Sequence, residues 1–231
     1  MKRFSIGMTE FLREASLAEL LTCRRCPRLV EWREWVGRHK RAAYREWEYW
    51  ARPVPGFGDP EAPILIFGLA PGAHGSNRTG RPFTGDASGD FLYAALYRAG
   101  LANQPFSRHR EDGLELRGVY ITAAVRCAPP ANRPLPEEIR SCSSWSKLEL
   151  SLLPRLRVYL ALGRIAHDAL LAHHGLRKAA HPFAHGLEHD LGGRVLLDSY
   201  HVSRQNTQTG KLTQAMFDAV LERAKALAGL P

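Results

Sequence analysis

The sequence predicts an α/β fold, a parallel sheet covered by helices on both faces, and three observations predict it. Apolar runs of strand length recur at Ile64–Phe67, Val119–Val125, Arg157–Leu162 and Arg194–Ser199. Their near-continuous apolar character suits strands buried on both faces, not the alternation of a half-exposed sheet. Helical patterns fall between them, and such alternation builds βαβ units. No linker, repeat or low-complexity segment divides the 231 residues, so residues 1–231 are expected to form one domain.

Composition narrows the partners. Lys and Arg total 32 against 23 Asp and Glu, a net charge of +9 with a sequence pI near 9.7, and a polyanion is the natural counterpart of such a surface. The sequence contains no apolar stretch of membrane-spanning length and no basic-then-apolar leader, so a cytoplasmic location and no membrane partner are expected. In a reducing compartment the four cysteines read first as metal or cluster ligands, not disulfides.

In chain order, Phe11, Leu12, Ala15, Leu17, Leu20 and Leu21 take helical spacing and lead into Cys23-Arg24-Arg25-Cys26-Pro27, a two-residue-spaced knuckle. From Leu29 to Trp50 six aromatic residues stand among arginines and lysines. Helical spacing favours a core role for them; stacking on bases is the alternative. The first strand ends at Gly68 and opens a long loop holding Gly72, Gly75, Gly80, Gly85, Pro71 and Pro82, expected to run without a helix until Asp86 or Ser88 caps the pattern at Phe91, Leu92 and Leu96. A structured Gly-rich loop at the carboxyl end of a buried strand is where open α/β sheets bind ligands.

Farther on, Arg108–Arg117 reads as a solvated excursion. The second strand ends in Arg126-Cys127-Ala128-Pro129-Pro130-Ala131-Asn132-Arg133-Pro134, too rich in proline for helix or central strand. A helix from Pro136 to Leu150 carries Cys142 and Trp145, and another spans Ile165–His173. The interval 175–193 holds His181, His185 and His189 without periodicity. It reads as a surface loop, with a metal site as the alternative. The fourth strand delivers Tyr200-His201 and the loop to Gly210, before a last amphipathic helix from Leu212 to Leu227.

Parallel strands place the loops after strands one, two and four at one sheet edge, so Asp86, Asn132 and His201 are expected to converge there. The first loop lacks both the Gly-Lys-Ser/Thr phosphate cradle and G-x-G-x-x-G, which argues against nucleotide chemistry. Cys23, Cys26, Cys127 and Cys142 provide one short knuckle and two distant thiols. That spacing favours a 4Fe-4S cluster over zinc, the alternative ion.

Several motifs in order carry a resemblance: GLAPGAHG (Gly68 to Gly75), GRPFTGDASG (Gly80 to Gly89), RCAPPANRP (Arg126 to Pro134), SYHVSRQNTQTG (Ser199 to Gly210) and the four cysteines. Together they resemble the uracil-DNA glycosylase superfamily, and within it the iron-sulfur family 5, the B-type enzymes of thermophiles and actinobacteria. The resemblance implies a three-layer αβα domain on a central four-stranded parallel sheet of order 2-1-3-4. It implies a prokaryotic, monomeric repair enzyme that flips uracil or another deaminated base from DNA and hydrolyses its glycosidic bond.

The same resemblance marks Gly68, Leu69, Ala70, Gly72, His74 and Ala123 as pocket positions, Phe83 as the residue stacking on the flipped base, and Arg204 and Gln205 as the duplex wedge. His201 matches the motif-two histidine and is expected to donate to the base, with Asp86 as the carboxylate and Asn132 orienting water. Two departures stand out. Ala70 replaces the water-activating Asp, Glu or Asn of other families, and Ala123 replaces a uracil-reading Asn, so hypoxanthine and xanthine are expected to enter as well. A catalytically silent binder of damaged or single-stranded DNA is the alternative that those two alanines raise.

Overall fold

The computed structural model describes residues 15–231. Residues 15–21 are helical; Phe11 and Leu12, expected to begin that helix, lie outside the described residues. Six strands form one sheet: β1 (Phe57–Gly58), β2 (Ile64–Gly68), β3 (Val119–Ala123), β4 (Val158–Leu162), β5 (Glu188–Asp190) and β6 (Val195–Ser199). Their order is β1-β3-β2-β4-β6-β5. The expected four-stranded parallel sheet is therefore corrected to a six-stranded mixed one. β3, β2, β4 and β6 run parallel, and the two short edge strands are antiparallel to their neighbours. A two-residue strand such as β1 carries too little periodicity to register in a sequence.

Parallel pairing buries both faces of the sheet. Ile64, Ile66, Val119, Ile121, Val158, Leu160 and Leu197 point to one side, against Leu92 and Leu96 of α3 (Ala87–Arg98) and Phe217, Leu221 and Ala224 of α7 (Gln214–Ala228). Leu65, Phe67, Tyr159, Ala161 and Leu196 point to the other, against Leu150 of α4 (Pro136–Ser151) and Leu170 and Leu171 of α5 (Arg164–His173). The period of two along each strand sorts its apolar side chains between the layers.

Three further expectations are corrected. Of the aromatic residues between Leu29 and Trp50, only Tyr49 is buried; Trp35 and Trp47 are exposed beyond a third of their surface. α1 (Pro27–Arg38) instead buries Leu29, Val30, Arg33 and Val36. The charged run from Arg108 is solvated over most of its length but is anchored at points the sequence did not show, because Asp112 pairs with buried Arg81 at 2.6 Å while Leu114 and Leu116 enter the core. The first loop contains a one-turn helix, α2 (Ser76–Thr79), closed by Gly80 at φ 76°.

Candidate active site

The loop between β2 and α3 folds back on itself through buried arginines. Arg78 donates from Nε to the His74 carbonyl at 2.8 Å and from Nη2 to the Gly85 carbonyl at 3.0 Å, while Tyr44 and Trp47 stack on its guanidinium at 3.9 and 4.1 Å. Arg81 reaches Thr84 Oγ1, Ser107 Oγ and Asp112 Oδ1. Just past Arg81 the chain turns sharply at Phe83, whose φ of 49° is left-handed and costly for an aromatic residue. Gly89 makes the turn feasible, since any Cβ there would collide with the Phe83 carbonyl oxygen.

The turn aims the Phe83 ring over the end of β2. A Cβ at Gly68 would lie 2.9 Å from the Phe83 ring, so glycine is required for the ring to sit there. His201, just beyond β6, places its imidazole 6.2 Å from the Phe83 ring centre, tilted by 37°. Gly163, following β4 at φ 92°, leaves room for His201: a Cβ on it would lie 3.2 Å from the histidine Cβ. Burial lowers the His201 pKa to about 4, so the ring is neutral at pH 7 and carries one N–H. Asn206 Nδ2 donates to the His201 carbonyl at 2.8 Å and fixes its backbone.

Asp86 stands at the N-terminus of α3, where Oδ1 accepts from the Ser88 and Gly89 amides at 3.0 and 3.1 Å. Its other oxygen, Oδ2, faces Gly72 and Gly75; a Cβ on Gly72 would lie 3.0 Å away and one on Gly75 would collide with it. One carboxylate thus caps a helix with one oxygen and presents the other to the loop. His74 accepts or donates through Nδ1 to Tyr49 Oη at 3.0 Å, and burial together with Arg41 and Arg78 lowers its pKa.

The remaining expected positions are more dispersed. Ala123 pairs with Gly68 at the ends of β3 and β2, and the Gly68 and Leu69 carbonyls accept from the Ala124 and Val125 amides, extending the pairing into both loops. Ala70 packs toward the cysteines. Asn132 does not lie in the Phe83–His201 cluster: it is exposed on a turn where Ala131 and Asn132 take φ of 52° and 55°. Arg204 and Gln205 are exposed in the first turn of α6 (Arg204–Gln208), which Ser203 caps through the Asn206 amide. The sequence reading missed Arg78, Arg81 and Gly163. Gly163 alone had a visible signal, a glycine directly after an apolar run like Gly68.

Cys23, Cys26, Cys127 and Cys142 line one apolar pocket with Leu20, Leu29, Val125 and Trp145. Arg33, itself buried, donates to Cys127 Sγ at 2.9 Å, and the Arg126 amide donates to Cys142 Sγ at 3.3 Å. Burial raises the Cys127 thiol to about 11 and the Cys142 thiol to about 12. Four converging soft donors in a dry pocket, with N–H groups aimed at two of the sulfurs, fit a thiolate-bound metal centre.

A ring platform, a neutral histidine and a carboxylate at the carboxyl edge of a parallel sheet make a site suited to gripping a planar base and stabilising charge on it. The family model described as Uracil DNA glycosylase superfamily matches residues 55–225, and the chain belongs to that superfamily. It is 68% identical to the type-5 uracil-DNA glycosylase of Thermus thermophilus, across 94% of this chain and 99% of the relative. Type-5 uracil-DNA glycosylases of Mycobacterium leprae and Pyrobaculum aerophilum are each 50% identical, covering 92% and 91% of this chain and 94% and 91% of theirs.

Proposed function

We propose that this chain is a monofunctional DNA glycosylase of base excision repair that flips uracil out of DNA and hydrolyses its N-glycosidic bond. The observation that carries this reading is the approach of Phe83 and His201 across the ends of β2 and β6, in a chain 68% identical to a named type-5 uracil-DNA glycosylase. Reaching the glycosidic bond inside a duplex requires extrusion of the nucleotide into a pocket. Phe83 receives the extruded base on its ring face. As the bond breaks, positive charge grows on the sugar and negative charge on the base. The N–H of neutral His201 stabilises the base anion, and Asp86 Oδ2 stabilises the sugar and takes up the proton of the attacking water. Asn132 assists in placing that water from outside the Phe83–His201 cluster, once docked DNA covers its exposed turn.

Ala123 places a methyl group where other families carry a uracil-reading Asn, and Ala70 one where they carry a water-activating group. A pocket without such groups discriminates weakly by hydrogen bonding, which supports excision of hypoxanthine and xanthine too. Arg204 and Gln205, exposed at the start of α6, fit insertion at the gap left by the flipped base.

Cys23, Cys26, Cys127 and Cys142 would hold a 4Fe-4S cluster. One short knuckle with two distant thiols, in place of the two short knuckles usual for zinc, favours the larger cluster. When bound, the cluster supplies a cross-link between the segment before α1, the end of β3 and α4. Release of free uracil from an oligonucleotide carrying one uracil, at saturating enzyme, tests the function. Tight DNA binding with no base released would leave the silent binder instead. Brown protein containing iron and sulfide supports the cluster, and colourless protein with one zinc bound by the cysteines refutes it.

A further inference from the structure

The histidine-bearing interval before β6 contributes to a second set of ligands, away from the cysteines. His167 of α5 and Asp198 of β6 are 1% and 0% exposed in their side chains, and His189 of β5 is 8% exposed. His167 Nδ1 lies 2.8 Å from Asp198 Oδ1, and its Nε2 lies 2.9 Å from the His181 carbonyl oxygen. A neutral imidazole has one N–H, so it cannot donate to both acceptors. On the other side of the carboxylate, His189 Nε2 stands 3.5 Å from Asp198 Oδ2, too far for a good hydrogen bond, and both atoms are buried without a partner.

A proton added between His167 and Asp198 would close the first contact and leave the second open. One cation among the three side chains closes both. It would take His167 Nδ1, the Asp198 carboxylate and His189 Nε2, and it frees the His167 Nε2–H to donate to the His181 carbonyl, the outer contact that orients metal-bound histidines. The ligand atoms all lie within 4.8 Å of one another. Tetrahedral zinc with bonds of about 2.0–2.1 Å separates its ligand atoms by roughly 3.3 Å, between the two spacings seen here.

We propose that His167, His189 and Asp198 form a binding site for a divalent transition-metal ion, zinc by ligand type. The ion clamps the β5–β6 hairpin onto α5. Asp198 is three residues before His201, so the clamp steadies the strand that delivers the active-site histidine. The test uses the full chain with its cysteines occupied by their cluster, freed of loosely held ions by a chelator and titrated with Co²⁺ and then Zn²⁺, read as difference spectra against the same protein before titration. One equivalent of Co²⁺ is expected to give visible d–d absorption without the intense sulfur-to-metal charge transfer of a cysteine site. Zn²⁺ should displace it and raise the melting midpoint. His189→Ala, on an edge strand, should lose both responses while its uncomplexed melting remains cooperative. His189→Asn serves as the second variant should the first unfold. A parent protein with neither response, or a folded His189 variant that binds as tightly as the parent, overturns the proposal.

Discussion

The loops after β2 and β3 leave the same sheet edge side by side, yet they are held in different ways. The first is locked along its whole length: Arg78 bonds to the loop's own carbonyls under Tyr44 and Trp47, Arg81 joins Thr84 to Ser107 and Asp112, and glycines give Phe83 and Asp86 their positions. The second is tied from outside, by the Arg126 pair with Glu149 at 2.6 and 2.9 Å and by Cys127 in the cysteine pocket, and beyond those ties it turns into solvent at Ala131 and Asn132. The difference teaches where chemistry and where contact belong. A loop locked along its length can hold a carboxylate and a ring still against a reacting base, whereas an exposed turn is completed by what docks on it.

The largest effect should follow removal of the carboxylate from the locked loop. Asp86→Asn keeps the cap, because Asn serves that position as well as Asp, but removes the charge. Single-turnover excision should fall by about 10²–10⁴ with DNA affinity kept. A parent-like rate would remove Asp86 from the chemistry. Breaking the lock comes next. Arg81→Ala leaves Asp112 without its cation, held by the Arg108 and Leu114 amides, and should cost about 3 kcal/mol in urea denaturation. A loss under about 1 kcal/mol would mean the loop does not depend on that pair.

His201→Ala should slow bond breaking by about ten- to a thousand-fold in single turnover, as loss of an oxyanion-type donor does. The same residue has a pH signature. Its folded pKa, about 4, lies below the ordinary histidine value, so the unfolded chain binds the extra proton between the two. The stability linked to the neutral ring is complete above about pH 6.5 and declines as pH falls toward 4. His201→Asn should therefore lose less stability than the parent between pH 7 and 4.5. Equal losses would show that the imidazole is not held neutral by burial.

Much of this organisation was legible in the sequence because it rests on local rules. Apolar runs located the four long strands, and Asp86 before Ala87 signalled the cap that the structure contains. The features missed depend on partners far along the chain. Asp112 lies 31 residues from Arg81, so a buried pair looked like part of a solvated charged run. The Trp35 and Trp47 faces looked like core because spacing reports an amphipathic pattern and not which face is covered. His167, His189 and Asp198 lie on three separate elements, and no spacing rule connects them.

The smallest effect belongs to the exposed turn. Ala131 and Asn132 both take left-handed backbone, a conformation Asn tolerates better than Ala does. Asn132→Ala should therefore cost about 1–2 kcal/mol at most, and Asn132→Gly, free of that strain, should leave stability near the parent's or slightly above it. In single turnover the glycine variant should excise uracil within about tenfold of the parent, because Asp86 still takes the water's proton. Its loss should appear chiefly at subsaturating DNA, where the turn has yet to be covered. Comparing the glycine variant with Asp86→Asn under identical conditions decides the division of labour between the loops. Equal losses of the chemical step would place Asn132 inside the reacting centre and erase the distinction between them.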